Sequence, residues 1–366
     1  MSLSIHLLPE FGWSLRDRPV FGPGSVFQGH VELHLQQPLV MDRLRLVFQG
    51  QECLVPFDVT PGVVRAKSVP LFGIQQTLWD SKDGLQSLDA GTYKYPFTIQ
   101  MPMVQYPPST CQDSYKCTFN LIAVAESQHQ SKYTTLIIKE LEMLYMPFVE
   151  TRLMKKRLVS TQQQSDLQVT TKLHSLDYVP GDTILGSLTV TTLPTSSPSS
   201  KKSLDVSLKL YRTVTNLYFD DVPAITQVVA STSTKLSPVE CGKGTPTVYS
   251  SSALELDIPD DLVPTFTYSK LASVTYRLAL SVKRKGPLAM WAQEVAIDWP
   301  LTIGTLGAGV RSSSDLMIYS ALDSTVDSSQ QLRPRFMKAV EYEDALPLYE
   351  PSRLPAYQVL SPSIVV

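Results

Sequence analysis

Apolar and polar residues alternate along much of this chain with a period of two. Val31, Leu33 and Leu35 alternate with Glu32 and His34, and Leu44, Leu46 and Phe48 alternate with Arg43 and Arg45. The pattern returns at Leu204, Val206, Leu208 and Leu210, and again at Val295, Ile297, Trp299, Leu301 and Ile303. Successive side chains of a strand point to opposite faces, so each run predicts a strand with one buried face. No segment carries a long 3.6-residue stripe capped at both ends. Short strands punctuated by turns and prolines predict an all-β chain built as β-sandwiches.

The pattern is written twice. Residues 21–31 and 178–188 both read aromatic-x-Pro-Gly-[Ser/Asp]-x-apolar-x-Gly-x-apolar, with Phe21, Pro23, Gly24, Ser25 and Gly29 answering to Tyr178, Pro180, Gly181, Asp182 and Gly186. Proline pre-forms the first central φ of a tight turn and glycine accepts the positive φ of the second. Gly181 follows Gly24 by 157 residues, a spacing of domain size and too long for a solenoid repeat. Three further blocks pair in the same order: 44–48 with 204–210, 93–102 with 254–259, and 115–121 with 274–282. The chain therefore divides into a sandwich over 1–150, a linker of weak periodicity over 151–166, and a second sandwich over 167–305. A tail follows over 306–366, serine-rich at 312–329 and expected to be disordered.

At 366 residues there is room for two domains of about 150 residues and a tail. A formal charge of −2 and 18% charged residues argue against a nucleic-acid binder, which should carry a basic stripe. The start of the chain lacks a basic n-region and breaks at Pro9, and no apolar run is long enough to span a bilayer, so a soluble, cytosolic protein is expected. Cys53, Cys111, Cys117 and Cys241 form no Cys-x-x-Cys; a Cys111–Cys117 disulfide fits the spacing but is disfavoured in a reducing compartment. Cys117 alternates with Phe119 and Leu121 and reads as a small buried hydrophobe.

No catalytic signature is present, and no catalytic, cofactor-binding or metal-binding residues are assigned. His30 and His34 flank Glu32 on one strand, but they stand about 13 Å apart and cannot share an ion, so they read as a solvated strand face. Three basic clusters, Lys155-Lys156-Arg157, Lys201-Lys202 and Lys283-Arg284-Lys285, are candidates for contact with anionic lipid or phosphorylated cargo tails. Each taken alone reads rather as a solvated linker or hairpin tip, and two brought onto one face would favour the anionic contact.

The chain resembles the arrestin family over about residues 3 to 305. The likeness rests on the duplicated Pro-Gly…Gly turn, on Pro107-Pro108-Ser109 ahead of the Tyr115 strand, and on the closing Trp299-Pro300-Leu301-Thr302-Ile303-Gly304. More narrowly it is similar to the arrestin-domain-containing α-arrestins, of a fungal-like kind, although Ser25 stands where an acidic residue is usual. The resemblance implies two tandem arrestin-like antiparallel β-sandwiches and a non-enzymatic adaptor that couples membrane transporters or receptors to ubiquitin ligases and endocytosis. It would work in the cytoplasm, peripherally at the plasma membrane and endosomes. Two other arrestin-like roles stay open: a coat or sorting subunit like that of retromer, and an ambient-pH signalling scaffold.

The tail bears on that choice. Leu346-Pro347-Leu348-Tyr349 and Leu354-Pro355-Ala356-Tyr357 are both Leu-Pro-x-Tyr, variants of the Pro-Pro-x-Tyr ligand of WW domains. A proline segment reaches the extended polyproline II form cheaply, packs its ring between groove aromatics and seats the tyrosine beside them. Leu346, Pro347, Tyr349, Leu354, Pro355 and Tyr357 are thus the candidate contacts for a HECT-type ubiquitin ligase with WW domains. The motifs begin eight residues apart, at most about 28 Å of extended chain, which is tight for two domains at once.

Overall fold

The computed structural model of the protein describes residues 1–8, 13–15, 18–60, 63–81, 86–112, 114–129, 132–153, 158–164, 167–192, 203–239, 247–284, 293–322 and 332–337. Its first half holds β1 (Ser2–Leu7), β2 (Trp13–Leu15), β3 (Arg18–Phe21), β4 (Val26–Leu35), β5 (Leu39–Met41), β6 (Arg43–Thr60), β7 (Val63–Asp80), β8 (Gln86–Leu88), β9 (Gly91–Gln100), β10 (Val104–Gln105), β11 (Thr110–Cys111), β12 (Tyr115–His129) and β13 (Lys132–Tyr145). The second half holds β14 (Leu158–Gln164), β15 (Leu167–Leu173), β16 (Asp177–Tyr178), β17 (Thr183–Thr192), β18 (Leu204–Asn216), β19 (Ile225–Leu236), β20 (Thr247–Asp257), β21 (Ala272–Arg284) and β22 (Gln293–Ile303). Two short strands follow, β23 (Met317–Ile318) and β24 (Arg335–Met337).

The duplication seen in the sequence is a duplication of topology. In the first sandwich one sheet contains β1-β4-β9 and the other β3-β13-β12-β6-β7; in the second the sheets contain β15-β17-β20 and β16-β22-β21-β18-β19. The orders correspond strand for strand, including a parallel pair in each, β3 with β13 and β16 with β22. The alternating residues face inward as the pattern predicts: Leu33, Leu44, Leu46, Leu204 and Leu210 are wholly buried. Burying one such leucine contributes about 2 kcal/mol.

Both Pro-Gly turns place glycine at positive φ, 72° at Gly24 and 88° at Gly181. In each, the next residue's side chain accepts a backbone N–H from three residues back: Gly22 donates to Ser25 Oγ (3.2 Å) and Val179 to Asp182 Oδ2 (2.9 Å). Serine thus performs in the first copy what the acid performs in the second. Cys53, Cys111 and Cys117 are free thiols, and Cys117 is fully buried.

Two segments are more ordered than their composition implies. Residues 158–164, expected within the linker, form β14 and pair with β15 from Leu158↔Leu173 to Gln164↔Leu167. The run Gln162-Gln163-Gln164 lacks alternation because this edge strand lies mostly exposed. Beyond the second sandwich, β23 pairs parallel with β10, and β24 adds antiparallel to β9, with Phe336 opposite Ile99. Packed structure therefore extends into the serine-rich region, because backbone pairing with the first sandwich needs no apolar periodicity.

Candidate functional site

A wholly buried carboxylate, Glu52, stands where the two sandwiches meet. Leu44, Leu46 and Phe48 set the inward register of β6, and two steps further that register reaches Glu52, which is wholly buried. Tyr115 on β12 donates its hydroxyl to Glu52 Oε2 (2.9 Å). Ser269, ahead of β21 in the second sandwich, donates to the same oxygen (2.5 Å). Tyr319, beyond the second sandwich, donates to Glu52 Oε1. One carboxylate thus holds three regions of the chain together through hydroxyl donors.

Neighbouring bonds fix the donors. Leu271 and Ala272 N–H groups donate to Ser269 Oγ at 3.1 and 3.2 Å, and the Lys270 N–H donates to Tyr319 Oη at 2.8 Å. Tyr268 reaches across to the Tyr106 carbonyl (3.2 Å), and Tyr106 in turn donates to the Leu332 carbonyl (3.3 Å). Burial raises the pKa of Tyr115 and Tyr319 far above the usual phenol range, and the Glu52 charge raises both further. These phenols stay protonated, as donors to a carboxylate must.

A second join lies at the strands' exits. The connector after β13 runs beside the chain leaving β22: Val149 N–H donates to Thr305 Oγ1 (2.9 Å), Thr305 donates to the Pro147 carbonyl (2.6 Å), and Thr151 donates to the Leu306 carbonyl (2.8 Å). Gly304 permits this approach, since a Cβ there would stand 2.4 Å from Thr151 Cγ2. Glu150 then receives the Ser312 N–H (2.9 Å) and hydroxyl (2.7 Å) and pairs with Arg311 (2.7 Å). Those bonds hold its carboxyl down to about 2, with the Ser312 contacts the larger cause. Beside these joins opens a cleft of about 550 Å³ lined by Arg18 and Met146 from one sandwich and Arg212 and Asp261 from the other.

Residues 163–307 match the family described as arrestin (or S-antigen), C-terminal domain. That part of the chain is similar to an arrestin C-terminal domain. The match covers the second sandwich, and the repeated strand order extends the arrestin-like architecture to the first. No curated protein matches the chain. Arrestin-family proteins are generally adaptors rather than enzymes, and a carboxylate ringed by hydroxyl donors suits structural coupling.

The residues singled out from sequence fall elsewhere. Leu346, Pro347, Tyr349, Leu354, Pro355 and Tyr357 lie outside the described residues, as do Lys155, Lys156, Arg157, Lys201, Lys202 and Lys285. Lys283 and Arg284 end β21, where Lys283 Nζ is 3.1 Å from Glu294 Oε2, so that lysine is engaged in an exposed ion pair. Glu52, Ser269 and Tyr319 were not singled out. A charged residue continuing an inward register was the available signal for Glu52; a serine and a tyrosine in irregular chain offer none.

Proposed function

We propose that this protein is a trafficking adaptor that binds a membrane transporter or receptor and brings a WW-domain ubiquitin ligase of the HECT type to it. The observation that carries the reading is an arrestin C-terminal sandwich in one chain with two Leu-Pro-x-Tyr motifs, the first beginning nine residues after Met337. Because β24 ends at Met337 on the first sandwich, the motifs follow in sequence a point anchored to the folded body. A ligase held by this tail would meet cargo at a raised effective concentration, and ubiquitination would accelerate without chemistry from this chain. The protein would act in the cytoplasm, peripherally at plasma membrane and endosomes, with its basic clusters touching anionic lipid.

The full chain is titrated against a panel of WW domains, with Tyr349→Ala and Tyr357→Ala made singly and together. Micromolar binding that each single change weakens and the double change abolishes is the expected outcome. Failure to bind any WW domain would discard ligase recruitment and favour a coat-subunit or scaffold role on the same fold.

A further inference from the structure

The outer face of the sheet β1-β4-β9 carries a cluster that lies apart from the sandwich joins. In the antiparallel register of β1 and β4, His6 stands directly opposite His30, and Ser4 opposite Glu32. The imidazoles stack with centroids 5.0 Å apart, and His30 Nε2 lies 4.0 Å from Glu32 Oε2. One ligand atom from each of His6, His30 and Glu32 falls within 4.8 Å of the others. The second imidazole comes from the neighbouring strand, so cross-strand register and not spacing along β4 brings the two rings together.

We propose that His6, His30 and Glu32 form a binding site for a divalent transition ion of the zinc class, which clamps the edge strand β1 to β4. Two imidazole nitrogens and a carboxylate oxygen select zinc-like ions over calcium or magnesium, which prefer all-oxygen shells. Tetrahedral zinc with bonds of about 2.0–2.1 Å places its ligands about 3.4 Å apart, so the cluster closes by side-chain rotation alone. The Ser4 hydroxyl, 2.8 Å from His6 Nε2, engages one nitrogen of that ring and leaves the other to the ion, an outer contact of the kind that orients ligating histidines. Gly29 lets the strands close tightly here, since a Cβ at that position would lie 2.3 Å from the His6 carbonyl oxygen.

Lys94, opposite Glu32 on β9, is the competitor. Its Nζ lies 3.4 Å from Glu32 Oε2, but its side chain is 61% exposed and free to swing into solvent. Such an ion pair is weak and yields to a dication.

The test is calorimetric titration of the full chain with zinc chloride, alongside thermal unfolding with and without zinc. The expected result is a single site with a dissociation constant on the order of 1–100 μM and a zinc-dependent rise in Tm. His6→Ala and His30→Gln should each weaken binding at least about tenfold and remove the Tm rise, while Lys94→Gln should strengthen binding by a few-fold to about tenfold. His34→Ala should leave both unchanged, since that ring is 3.0 Å from Thr92 Oγ1 and outside the cluster. Unfolding without zinc checks that each variant is folded, and all four sites lie on an outward face. Absence of binding up to millimolar zinc overturns the proposal. So does binding of unchanged strength in both His6→Ala and His30→Gln, which would move the ion to the thiols.

Discussion

The two sandwiches share a strand order and differ in what completes them. The second takes its outer strand from its own connector, β14 folding back onto the adjacent β15. The first takes β24 from far downstream, where Arg335 donates to Gln100 Oε1 across 235 residues at 2.9 and 2.6 Å. A local hairpin closes at little entropic cost, whereas pairing β24 with β9 closes a far longer stretch of chain, 235 residues between Gln100 and Arg335, at a higher cost. The second sheet's outer strand is therefore supplied locally, and the first sheet's by the far end of the described chain. Glu52 is likewise a centre of long-range contact, because two of its three partners, Ser269 and Tyr319, lie outside the first sandwich.

The largest effect should come from breaking that centre. Glu52→Ala leaves the Tyr115, Ser269 and Tyr319 hydroxyls without their acceptor, at a cost of about 2–4 kcal/mol by urea unfolding. Glu52→Gln retains one acceptor oxygen and should cost less. Two separate unfolding transitions in Glu52→Ala, where the parent protein shows one, would be the clearest sign that coupling between the sandwiches has been lost. A cost below about 1 kcal/mol would mean that the carboxylate is accommodated rather than needed.

The comparison sharpens at a pair of corresponding glycines. A Cβ on Gly29 would meet the His6 carbonyl oxygen at 2.3 Å and Phe97 Cζ at 2.7 Å, whereas one on Gly186 would meet the Lys172 carbonyl oxygen at 2.9 Å and Leu173 Cδ2 at 3.0 Å. The Gly29 obstruction is closer and includes both backbone and a buried ring. Gly29→Ala should therefore cost about 2–3 kcal/mol and Gly186→Ala about 1 kcal/mol, both read from denaturation midpoints. Equal costs would show that strand spacing in the two copies relaxes equally well.

What the sequence made legible follows from the same contrast. The duplicated turns, the inward faces of β4, β6, β18 and β22 and the burial of Cys117 all depend on local patterns, and all were readable as alternation or as Pro-Gly. Ser25 departed from the acidic residue expected at its position, yet its hydroxyl makes the bond that Asp182 makes in the second copy. Strands β14 and β24 were not readable, because an exposed edge strand and a three-residue strand held by backbone pairing impose little on side-chain type. The Glu52 centre was half readable: its own position violates the apolar register, but nothing near Ser269 or Tyr319 in sequence marks them as partners. The His6–His30 pair needs cross-strand register, which neither histidine reveals alone.

The smallest effect concerns the join that serves both sandwiches alike. Glu150 leaves the first sandwich and binds Ser312 and Arg311 of the chain leaving the second. Its carboxyl is held at about 2 in the folded protein, below the value of about 4.3 for an unfolded glutamate. A depressed folded value means that the ionised form favours folding, so this contribution is full above about pH 5 and fades as pH falls toward about 2. Glu150→Gln should accordingly lower Tm slightly at neutral pH, and the difference from the parent protein should close across that window. Because Arg311 is 60% exposed, added salt should shrink the part owed to the ion pair and leave the Ser312 bonds in place. A difference that persists unchanged at pH 2 would place the effect in packing, and the charge would then have no part in holding the two exits together.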